Sequence, residues 1–107
     1  MERQPHPLVN KIDSKHYNED IEPGEKTTIE KFEEKYTIRQ LYNFAMITED
    51  KYFERMGRKD DVDKEERKMT SYLNYKTMLK EIIDKYPTLA DMTAKTAYNH
   101  LHYNWIY

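Results

Sequence analysis

The strongest constraint on this chain is a helical stripe that stops at a proline. Met69, Tyr72, Leu73, Leu79, Ile82, Ile83 and Tyr86 recur largely at three- and four-residue steps, the spacing that gathers side chains on one helix face. Asp63 and Glu66 open the segment, and acids there complement the helix dipole. Pro87 closes it, because proline has no backbone N–H to continue the ladder. The spacing predicts a helix of about 23 residues, roughly 35 Å long. Such a rod must be covered by other apolar surfaces, and the remaining patterns are helical too. The expected fold class is all-α, a small bundle of three to four helices with an extended N-terminal arm.

Thr27 and Glu30 have the spacing of a capping box, followed by a short stripe of Ile29, Phe32 and Tyr36. Thr37 and Gln40 repeat the box and start a second helix expected to run to about Met56, with Gly57 as its C-terminal cap. From Leu41 to Ile47 this helix is apolar nearly all round, broken only by Asn43. That makes it either central in the fold or buried at a subunit contact. Glu49 shares the heptad phase of Tyr42 and Met56 and reads as an exposed edge position. Asp60 to Asp63 read as a loop. After Pro87, Thr88 and Asp91 are expected to start a fourth helix carrying Leu89, Met92, Ala97 and Leu101, ending in the aromatic tail Tyr98, Tyr103, Trp105 and Tyr107. No alternating stretch is long enough to define a strand. Residues 1–26 hold three of the four prolines and one of the two glycines. They read as an arm docked by Leu8, Val9 and Ile12, leaving residues 27–107 as the helical domain.

A chain of 107 residues is one domain, and at this size its core is thin, which makes a homo-oligomer the expectation. The ten tyrosines and one tryptophan argue against wholesale disorder. A net charge of -2 gives no long-range attraction to DNA, RNA or an anionic membrane, and the fourth helix offers only Lys95 to a phosphate backbone. There is no cysteine for a disulfide, a thiolate metal site or a thiol nucleophile. The longest apolar run, Phe44 to Ile47, is too short to cross a membrane, and the N-terminal residues lack a signal-peptide core. The expected location is cytoplasmic.

The chemistry-bearing cluster is the segment from Lys51 to Lys59, where four cations face one acid. Lys51, Arg55 and Arg58 share a helix face if the helix persists, and Lys59 follows the glycine. Converging cations suit an oligophosphate, and arginine adds bidentate geometry. The same charges also fit the negative end of a helix dipole. The acidic run Asp60, Asp61, Asp63, Glu65 and Glu66 follows, from which a carboxylate such as Asp61 could hold Mg2+ through water. Walker, dinucleotide and nucleophile-elbow motifs are absent.

Taken in order, several short elements resemble a tailed-phage family of small nucleotide kinases that lack a Walker motif. They are Ser14-Lys15-His16-Tyr17, Asp20-Ile21-Glu22, Lys51-Tyr52, Arg55, Gly57, Lys59, Lys68 and Tyr72-Leu73, with Thr37 and Gln40 in register. The resemblance spans roughly residues 10–86. It implies a nucleotide site in the cytoplasm of an infected bacterial host. Lys51, Arg55, Arg58 and Lys59 would bind phosphate, His16 and Tyr17 would join from the arm, and Asp61 would hold Mg2+. The implied activity is phosphate transfer from ATP to a nucleoside monophosphate. Two departures stand out: Ile47-Thr48 replaces the family's Gly-Asn, and Lys15 separates Ser14 from His16. Two other classes remain open. One is a non-catalytic sponge for a nucleotide signal of bacterial anti-phage defence; the other is a helical protein–protein interaction or assembly module.

Overall fold

The computed structural model describes residues 3–8, 26–56 and 62–107. It is predominantly helical. Strand β1 (Gln4–Pro5) is followed by helices α1 (Thr28–Lys35), α2 (Ile38–Arg55) and α3 (Val62–Lys85). A 3-10 turn (Pro87–Leu89), helix α4 (Ala94–Leu101) and strand β2 (Trp105–Ile106) complete the order. Among the described residues no helix is long and apolar enough to cross a membrane.

Two N-caps read from sequence are formed, the one at Thr27 by one bond and not as a full box. Thr27 Oγ1 accepts the Glu30 N–H at 3.1 Å. Thr37 and Gln40 exchange both bonds of a capping box, at 3.0 and 3.1 Å. Helix α2 ends at Arg55 with Met56 as its cap, while Gly57 lies outside the described residues. Cross-helix contacts run in opposite chain directions: Tyr42 meets Lys80, Glu49 meets Lys76 and Tyr52 meets Lys68. Helices α2 and α3 are therefore antiparallel. Glu49 is not an exposed edge residue; it is half-buried and 2.8 Å from Lys76 Nζ.

Leu41 and Ala45 face the core, with Tyr75, Leu79 and Ile82 of α3 and Ala94, Ala97 and Tyr98 of α4 buried in the same cluster. Met46, Ile47 and Phe53 stay exposed, so only part of the apolar girth of α2 is used within one chain. The aromatic tail is largely spent inside the molecule. Tyr98 is buried, and Trp105 and Tyr107 pack against the core.

The fourth helix starts later than Thr88 or Asp91 would place it. Asp91 instead reaches Arg39 Nε at 3.2 Å, and Thr93 caps α4. Residues 90–93 are held as backbone partners of the start of α2. The Ile38 N–H donates to the Met92 carbonyl at 3.1 Å and the Arg39 N–H to the Ala90 carbonyl at 3.0 Å. These carbonyls satisfy donors that the first turn of α2 cannot pair internally. Helix α4 stops at His102, whose φ of 59° is left-handed.

Sequence patterning gave no strand, yet the two ends of the described chain pair in parallel, Gln4 with Trp105 and Pro5 with Ile106. What fixes this pairing is a buried carboxylate. Glu33, on α1, is 1% exposed. Its Oε2 accepts from His6 Nε2 at 3.0 Å, from the Tyr75 hydroxyl at 2.8 Å and from the Tyr98 hydroxyl. Its Oε1 accepts from the Tyr107 hydroxyl at 2.5 Å. The Leu8 N–H donates to His6 Nδ1 at 3.1 Å, so the ring proton sits on Nε2. Leu8 is itself buried, as the arm reading expects; Val9 and Ile12 lie outside the described residues.

Burial, reinforced by the Glu33 charge, pushes the Tyr75 phenol well above its ordinary range. Tyr98 is pushed up in the same way, by burial first and then by Tyr75 and Glu33. Two outcomes follow. Phenols whose folded pKa lies above the unfolded value stabilise the fold fully below pH ~10 and less as pH rises further. Each costs about 1.4 kcal/mol per pH unit once only the unfolded chain ionises. Absorbance at 295 nm should therefore show these two tyrosines ionising only with cooperative alkaline unfolding. Glu33→Gln removes the charge and places an NH2 among four donors. It should cost about 2–3 kcal/mol, lowering the melting temperature by roughly 10–20 °C. An unchanged melting temperature would contradict the hub.

Candidate phosphate-binding site

Lys51 and Arg55 lie on the last two turns of α2, four residues apart and so on one face. Both complement the negative end of the helix dipole. Glu65, Lys68 and Tyr72 fall at three- and four-residue steps along α3 and also share a face. The antiparallel packing brings Lys51 of one face and Lys68 and Tyr72 of the other together around Tyr52.

Tyr52 is buried, and its ring stacks on Tyr72 with centroids 5.7 Å apart and planes 27° apart. Lys51 Nζ lies 5.9 Å from the Tyr52 centroid and Lys68 Nζ lies 5.5 Å from it. Each contact is in the range of a cation–π attraction, worth about 0.5–1 kcal/mol where solvent reaches it. Two helices thus hold ammonium groups over one ring. Among the described residues, Lys51, Arg55 and Lys68 form no ion pair, and neither do Lys31, Lys35 and Arg67, whereas Lys26, Lys76, Lys80, Lys85 and Lys95 each find a carboxylate. Lys68 stands in the second turn of α3, where the dipole of its own helix offers a cation nothing.

Of the two described side chains of the acidic run, Glu65 and Glu66, one is inward. Glu65 is 5% exposed, and its Oε2 has no hydrogen-bond partner. A carboxylate oxygen in that state is costly unless something pairs with it. Among the described residues no three histidines or acids converge as a metal cluster. Mg2+ needs no such cage, because one or two carboxylates, substrate phosphates and water complete its shell.

Of the residues read from sequence as the site, the structure places Lys51 and Arg55 on the same face. Arg58, Lys59, Asp61, His16 and Tyr17 lie outside the described residues. Lys68 and Glu65 are the additions. Lys68 was already part of the family-like pattern. Glu65 is set apart from its acidic neighbours by sharing the phase of Tyr72, a signal present in the sequence.

The unpaired carboxylate gives a stability test. Glu65→Met removes a buried polar group without opening a large cavity. In metal-free, ligand-free buffer it should stabilise by about 1–3 kcal/mol, the cost of one unsatisfied group, seen as a higher melting temperature. A lower one would show that Glu65 is structurally satisfied.

No family model, curated protein or solved structure matches this chain.

Proposed function

We propose that the chain is a nucleotide-binding protein, with phosphate transfer from ATP to a nucleoside monophosphate as the activity its resemblance to phage kinases implies. The observation that carries this reading is the placement of Lys51 and Lys68, from two helices, over the single Tyr52 ring. Phosphoryl transfer asks the protein mainly for positioning and for cations around the moving charge. The acceptor phosphate oxygen bonds to the γ-phosphorus as the bridging oxygen leaves with ADP. Lys51, Lys68 and Arg55 would neutralise charge on those oxygens. Glu65, with Asp61 from the same run, would hold Mg2+, which screens the phosphates when bound. Lys59, His16 and Tyr17 complete the site in the resemblance, Arg58 would assist from the same cluster, and the setting is the cytoplasm of an infected bacterium.

The test is direct. The purified protein is incubated with ATP, Mg2+ and each nucleoside monophosphate in turn, and products are separated by chromatography. Diphosphate above background supports the kinase. Intact nucleotide recovered stoichiometrically after denaturation, with no diphosphate, indicates sequestration instead. Lys68→Ala should weaken nucleotide binding roughly 10- to 150-fold, the loss of one charge-assisted contact of about 1.5–3 kcal/mol, with helix content unchanged. A variant that binds like the wild type would make the cluster a solvated helix end.

A further inference from the structure

Tyr72, which stacks on the Tyr52 ring, also walls an apolar cavity of about 120 Å³. Ile29, Phe32, Phe44 and Tyr72 line it, with Leu8 and Thr28. Phe32, Phe44 and Tyr72 meet edge to face, with centroids 6.1 and 6.0 Å apart. Thr28 is exposed and marks the rim. Tyr72 belongs to both places, because it walls the cavity and stacks on the Tyr52 ring that Lys51 and Lys68 approach. Lys68 precedes Tyr72 by four residues, about 6 Å along the helix axis.

We propose that this cavity takes the base of a pyrimidine nucleotide whose phosphates reach Lys68 and Lys51. The proposal rests on the nucleotide reading above and adds the class of base. An apolar cavity of roughly 150 Å³ accepts a benzene ring, so this one is scaled to a single six-membered ring and is small for a fused purine. Aromatic walls suit the ring's apolar faces. The carbonyl and N–H edge must stay at the rim beside Thr28 and water, since burying it unpaired in an apolar cavity is costly.

Calorimetric titration of UMP, CMP, dTMP, AMP, GMP and inorganic tripolyphosphate into three proteins tests this. The proteins are wild type, Thr28→Trp and Lys68→Ala. The wild type should bind pyrimidine monophosphates more tightly than purine ones. Thr28→Trp, which places an indole over the rim without touching the core, should weaken pyrimidine nucleotides by about tenfold or more and leave tripolyphosphate unchanged. Lys68→Ala should weaken both. Equal or tighter purine binding by the wild type overturns the pyrimidine assignment whether or not the variant folds. Pyrimidine affinity unchanged in Thr28→Trp overturns the cavity as base site. In either case retained tripolyphosphate binding leaves the phosphate clamp standing. A wild type that binds neither tripolyphosphate nor any nucleotide removes both readings.

Discussion

The Glu33 carboxylate is the constraint on which the other contacts depend. A buried charge is tolerated only when its lone pairs are filled, and Glu33 fills them with four neutral donors and no ammonium or guanidinium. Those donors come from the N-terminal segment, α3, α4 and the C-terminal residue. One side chain on an eight-residue helix therefore fixes elements that are far apart in sequence. Losing it would strand buried His6, Tyr75 and Tyr98 at once and leave the half-buried Tyr107 hydroxyl without its carboxylate. The exposed pairs from Lys26 and Lys95 to Glu34 add little by comparison, since solvent screens them.

The hub touches the α2–α3 pair through a hydrogen bond from Tyr75, near the middle of α3. With His6 fixed and its ring oriented by the Leu8 N–H, Leu8 comes to the same cavity as Thr28 and Phe44. The far end of the helix pair carries Tyr52, Lys51 and Lys68, with charge gathered and Glu65 carrying an unpartnered oxygen. The satisfied Glu33 anion and the cations gathered over Tyr52 thus engage different turns of α3.

Local chemistry was legible in the sequence. The α3 stripe and its end before Pro87, and the capping box at Thr37, depend on neighbours within a few residues, and the structure forms them as read, while at Thr27 only one bond of the expected box is made. The start of α4 was not legible, because Ala90, Met92 and Ala94 are recruited as backbone partners by Arg39, Ile38 and Tyr36, more than fifty positions away. The β1–β2 pair was hidden for the same reason: two residues a side carry no alternation, and their pairing is set by His6, Trp105 and Tyr107. Glu33 had left a trace, since it stands four residues after Ile29 on the apolar side of α1. An acid at such a position reads as an edge residue until its partners are known. For the site, sequence grouped Lys51 and Arg55 by helical phase, while Lys68 needed the antiparallel packing of α2 on α3 to join them.

On the proposed function, nucleotide phosphate is met by Lys51 and Lys68 beside Tyr52 and not at the Glu33 carboxylate. Two-dimensional 1H–15N NMR on the full chain, titrated with a nucleoside monophosphate and Mg2+, reads both places at once. Saturable shifts are expected at the amides of Lys51, Arg55, Glu65, Lys68 and Tyr72, with those of His6, Glu33, Tyr98 and Tyr107 unmoved. Shifts centred on the Glu33 hub, or a spectrum unchanged at saturating nucleotide, would contradict it.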